Sequence, residues 1–219
     1  MIAMISWRDG PWWVVVGPAA GVALGAVDSI VNHVPVLLGE VGTARAERGG
    51  WSQAAEFASL ILDAGWAWAA MAVLVGWLVS QSVRLAAGML RGAVAGGCTL
   101  ISATIAYYGV DVIFDGDTWW ATATQYWLIA SVCLGPLLGA AGALIRRSGP
   151  VGTLAVLLVP AGAALQMVLL PPPPESAMAW PVRLSVWAAA AVAVVLIARR
   201  TVRPRGHSLK ISRWDGELR

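Results

Sequence analysis

Apolar residues dominate six stretches of the chain, at about 12 to 30, 57 to 79, 93 to 114, 123 to 145, 151 to 170 and 182 to 198, with short polar segments between them. Each stretch is close to the roughly 20 residues a helix needs to cross a hydrocarbon core. In lipid the backbone must satisfy its own hydrogen bonds, which selects helices over open strands. The pattern predicts an all-α, polytopic membrane bundle of six transmembrane helices over residues 1–198. A polar segment, 199–219, follows as a basic tail.

Composition agrees with that pattern. Of 219 residues 58% are hydrophobic and only 12% are charged, with a mean hydropathy of +0.72, against about 25% charged in soluble domains. Little chain is left for a soluble domain, and the tail is too short and too polar to bury a core of its own. The first run reads as a span rather than a signal peptide, because it continues to Val31 and Asp9 interrupts the basic start.

The basic residues set an orientation, since Lys and Arg near span ends stay on the cytoplasmic side. Arg8, Arg84, Arg91, Arg146, Arg147 and the seven basic residues of the tail fall on one side, and Arg45, Arg48 and Arg183 on the other. Six spans with both termini cytoplasmic, in the plasma membrane, satisfy this alternation. Most of the 13 tryptophans then fall near a membrane–water interface, Trp127 at the outer one; Trp66 and Trp68 sit deeper.

Placed on that topology, the polar residues within the spans gather in the outer half. Asp28 and Asn32 leave span 1, with His33 in the outer loop beyond; Ser59 and Asp63 lie early in span 2; Thr104, Tyr107, Tyr108 and Asp111 end span 3; Gln125 opens span 4; Gln166 lies late in span 5. Residues three, four and seven apart share a helix face, so Ser59, Asp63 and Trp66 form one polar face, and Thr104, Tyr107, Tyr108 and Asp111 another. Asp63 is the deepest carboxylate, about 9 Å inside its span at 1.5 Å per residue. A charge at the membrane centre costs about 2.5 to 3.5 kcal/mol on the insertion scale. The N-terminal end of span 2 is expected to offset part of that cost for Asp63, whereas the dipole opposes Asp28 and Asp111 at C-terminal ends.

These positions predict an outward acidic and aromatic cleft. Its candidate ligand-binding residues are Asp63, Asp111, Asp28, Tyr107, Tyr108, Trp66, Gln125 and Gln166. Carboxylates with aromatic faces suit a cationic or amine-bearing solute. Small residues allow helices to approach closely in lipid, and Gly17, Gly21 and Gly25 in span 1, with Gly135 and Gly139 in span 4, recur every four residues. They are the candidate helix-packing positions, within the bundle or toward a partner.

No enzymatic motif is present: no nucleophile elbow, zinc-helix motif, phosphate loop or aspartate-rich repeat. Asp115 and Asp117 have metal-like spacing but lie in an exposed turn, and His33 has no second histidine or thiol nearby in sequence. No catalytic residue, metal or cofactor is therefore expected. Cys98 and Cys133 lie in separate spans, without a C-x-x-C spacing.

At "AGWAWAAMAVLVGW", "YYGVD", "YWLIASVCLGPLLGAAGALIRR" and "GPVGTLAVLLVPAGAALQMVLLPP" the chain resembles a family of actinobacterial six-helix integral membrane proteins classed as a domain of unknown function. The resemblance covers about 18 to 198 and implies location and topology, with no activity or site residue. In size, span count and the small-residue stripe of span 1 it also looks like the substrate-capture components of energy-coupling-factor transporters, at the level of fold alone. The expected function is binding or transport of a small cationic or amine-bearing solute. The alternative is a non-catalytic subunit that scaffolds or regulates a membrane or cytoplasmic partner protein. The lipid bilayer is an expected partner and nucleic acid is not.

Overall fold

The computed structural model describes residues 12–40, 42–81, 84–116 and 118–202. Trp7, Arg8, Asp9, Asp117 and the tail beyond Val202 lie outside them. Among the described residues the chain forms seven α-helices: α1 Trp12–Leu37, α2 Gly50–Leu62, α3 Gly65–Val79, α4 Leu85–Asp115, α5 Thr122–Leu144, α6 Pro150–Leu169 and α7 Ala179–Val202. Helices α1, α4, α5, α6 and α7 are each long and apolar enough to cross a membrane, as in a multi-pass membrane protein. The second expected span is not one helix. It is the pair α2 and α3, bent by 59° at a short break, and it makes a sixth crossing only if the pair is taken together.

Two helix groups meet side by side. The first is α1, α3, α4 and α5, packed through glycine. Gly17, Gly21 and Gly25 rest on the backbone of Ala95, Thr99 and Ala103, so α1 and α4 run parallel and in register. Gly139 meets Gly76, Gly92 and Gly96, and Gly135 meets Gly96 and Gly97. At these contacts an added Cβ would run into a neighbouring backbone, as expected for helices joined by dispersion between closely set backbones. Thr104 and Ser131 bridge α4 to α5 at 2.9 Å with both hydroxyls buried.

The second group, α2, α6 and α7, is joined by larger apolar side chains. Ala163, Met167, Val182 and Val186 form its buried centre, with Phe57, Leu60, Ile61 and Trp66 packed against it. The break between α2 and α3 thus carries the chain from one group to the other.

Helix α1 runs two turns beyond the expected end of span 1, to Leu37. His33 is therefore a buried helical residue rather than part of an outer loop. It meets the Ser29 carbonyl at 2.7 Å through Nδ1 and the Asp115 carboxylate at 3.2 Å through Nε2. Asp115 is the last residue of α4 and not part of a free turn.

Candidate functional site

The site is built on the break. Asp63 ends α2 in a helical conformation, with its N–H on the Ser59 carbonyl, and Ala64 turns extended at ψ 131°. The helix restarts at Gly65. A helix end leaves its last carbonyls and first N–H groups without helical partners, and inside a membrane these must be satisfied by protein or must line a cavity. One of them is satisfied from α6: the Trp66 N–H donates to Gln166 Oε1 at 3.0 Å.

Asp63 therefore lies between the partially negative C-terminal end of α2 and the partially positive N-terminal end of α3. The expectation that the N-terminus of α2 offsets its charge is corrected, because that end lies a full helix away at Gly50. Asp63 is exposed, and its carboxylate accepts no hydrogen bond and joins no ion pair among the described residues.

Beside it is a cavity of about 200 Å³ lined by Asp63, Gly65, Trp68, Tyr107, Tyr108 and Trp127. The rings form a connected wall, with centroids 6.1 Å apart for Trp68 and Tyr107, 5.1 Å for Tyr107 and Tyr108, and 6.5 Å for Trp68 and Trp127. Among the described residues no basic side chain lines it.

Behind this wall a polar ladder joins α1, α2 and α4. Tyr107 OH accepts from Asn32 Nδ2 at 2.8 Å, and Asn32 Oδ1 accepts from the Ser59 hydroxyl. Ser29 donates to Asp111 at 2.6 Å. Asp28 is fully buried; Trp68 Nε1 donates to its Oδ2 at 3.2 Å, while Oδ1 has no partner. Asp28, Asp63 and Asp111 lie within electrostatic range of one another. Three such acids with no basic residue in the adjoining wall favour a positive charge beside them.

The expected residues divide accordingly. Asp63, Tyr107 and Tyr108 line the cavity, while Asp28 and Asp111 stand behind it on the ladder. Trp66 does not reach it. The break ends the face counted from Ser59, and Trp66 turns into the apolar cluster of α6 and α7. Trp68 stands at the cavity instead. Gln125 is exposed, and from the first turn of α5 its Nε2 donates at 3.0 Å to the Trp120 carbonyl just before the helix. Gln166 holds the break rather than the cavity wall.

Trp127, an interfacial anchor on the sequence pattern, and with it Trp68 and Gly65, are the lining residues that pattern reasoning misses. No local sequence signal locates Trp68, because its place at the cavity depends on the break at Ala64. Among the described residues no group of three His, Cys, Asp or Glu side chains is arranged to hold a metal. Comparison with known families, curated proteins and solved structures finds no match to this chain.

Proposed function

We propose that this is a six-span membrane protein that binds, and in the membrane transports, a small cationic or amine-bearing solute in the cavity beside Asp63. The observation that carries the reading is the Asp63 carboxylate, exposed and without a partner among the described residues, at a helix break facing a wall of aromatic rings. Discontinuous helices whose unwound ends face a polar cavity are a recurrent way of building solute sites in transporters. Ring faces add attraction for a cation of about 0.5 to 2 kcal/mol.

The distribution of basic residues supports both termini on the cytoplasmic side of the plasma membrane, with the cavity toward the outside. The glycine stripes do not favour the partner-scaffold alternative, because α1 and α5 use them against α3 and α4 within the bundle.

The test is Asp63→Asn in protein reconstituted into phospholipid nanodiscs, with tetramethylammonium as the probe. Binding is expected to weaken by about tenfold or more, the equivalent of about 1.4 kcal/mol. Unchanged binding in a folded Asp63→Asn protein rejects the reading.

A further inference from the structure

A second space touches Asp63. It is a groove of about 420 Å³ that shares Asp63, Gly65 and Trp127 with the aromatic cavity and continues along α6 past Gly162, Leu165 and Leu169. It lies on the seam between the two helix groups, where α5 and α6 pack lightly against each other. From Gly162 to Leu169 it follows two turns of α6, about 10.5 Å at 1.5 Å per residue, and it ends at Leu170 just past the helix.

The two spaces have opposite chemistry. The cavity is acidic and aromatic. On both sides of Gln166, which sits level with the break beside Asp63, the groove is walled by leucine and glycine, and Leu165, Leu169 and Leu170 are all exposed along it. A compact, water-soluble cation would use only the first space.

Resting on the proposed cation reading, we infer that the ligand is a single-chain amphiphile with a cationic head, its head beside Asp63 and its tail in the α6 groove. The three shared residues carry this assignment, because they place the charged end and the apolar wall on one continuous path. Entry would be lateral, from the bilayer through the α5–α6 seam. Gly162 gives a direct handle. A Cβ placed there meets nothing within 4 Å, so a larger side chain fills the groove without pressing on a backbone, and it replaces a residue poorly suited to a helix interior.

The experiment compares tetramethylammonium with dodecyltrimethylammonium on the full chain in phosphatidylcholine nanodiscs, with the long probe scored by its membrane concentration. Gly162→Leu is expected to weaken dodecyltrimethylammonium at least tenfold and to leave tetramethylammonium within twofold. Leu169→Trp, a second exposed groove position, is expected to do the same, and Asp63→Asn to weaken both probes. If both groove variants are folded and bind the long probe as the parent does, the tail assignment is overturned while the cation reading stands. If neither probe responds to Asp63→Asn, the cation reading fails and the amphiphile assignment with it.

Discussion

Gln166 of α6 accepts the backbone N–H of Trp66 at 3.0 Å in the first turn of α3. These residues are 100 positions apart, and their contact ties the break beside Asp63 to a helix of the other group. An unpaired buried N–H costs about 1 to 3 kcal/mol. The bond is thus comparable to the cost of leaving the broken helix end unsatisfied, and it fixes where α3 begins.

Replacing Gln166 with Leu removes the acceptor and keeps the bulk. Stability is expected to fall by about 1 to 3 kcal/mol, read as a lower unfolding midpoint in a mild detergent. Gln166→Glu retains an oxygen acceptor and is expected to lose less. Equal midpoints for Gln166→Leu and the parent would show that the Trp66 N–H is satisfied some other way.

The glycine contacts make a sharper contrast. Gly21→Leu and Gly25→Leu each drive a side chain into the α4 backbone at Thr99 or Ala103. Overpacking typically costs about 1 to 3 kcal/mol, and more where backbone must move. These variants are expected to yield aggregated protein on size exclusion, whereas Gly162→Ala runs as the parent does.

The glycine stripes and the long spans were legible because their signals are local: a spacing of four residues, or about 20 apolar residues in a row. The break was not. Asp63 and Gly65 are the weakest helix formers in "LILDAGWAW", but neither marks a break by itself, and the groups that sustain it, Ala64 in an extended conformation and Gln166 on α6, are a conformational choice and a distant partner. Missing it displaced the aromatic assignment from Trp68 to Trp66, positions about 200° apart around a helix. His33 was misplaced for a related reason. Its partners, the Ser29 carbonyl and Asp115, satisfy both ring nitrogens and so permit burial in a helix that the apolar pattern ends at about residue 30.

Trp68 Nε1 provides the hydrogen bond received by the buried Asp28. Trp68→Phe keeps an aromatic ring and removes the donor to Asp28 Oδ2, so that neither carboxylate oxygen has a hydrogen-bond partner among the described residues. Leaving a buried acceptor unsatisfied costs about 1 to 3 kcal/mol, so Trp68→Phe is expected to be destabilising, and less so in an Asp28→Asn background. A double-mutant cycle on unfolding midpoints measures the coupling; strictly additive effects would show that the bond contributes nothing.

Thr104 and Ser131 should matter much less. Interhelical hydrogen bonds in membranes average about 0.6 kcal/mol, with a maximum near 1.7, because the unfolded helices in lipid also find partners. Thr104→Val is expected to shift the unfolding midpoint only slightly, since its methyl still fills the contact with α5. A loss as large as that expected for Gln166→Leu would place Thr104 in a wider polar network than its bonds to Ser131 and the Leu100 carbonyl.

Trp127 separates ring attraction from simple occupancy of the cavity, since it borders both the aromatic cavity and the α6 groove and its indole makes no hydrogen bond among the described residues. Trp127→Leu keeps an apolar side chain but removes the ring face, whereas Trp127→Phe keeps a weaker one. A cation over Trp gains about 0.5 to 2 kcal/mol, roughly 2- to 30-fold in affinity. Tetramethylammonium affinity is therefore expected to decline in the order parent, Trp127→Phe, Trp127→Leu, measured by equilibrium binding in nanodiscs. Equal affinity for the Phe and Leu variants would assign Trp127 a packing role and leave the attraction for the cation to Asp63 and the tyrosines.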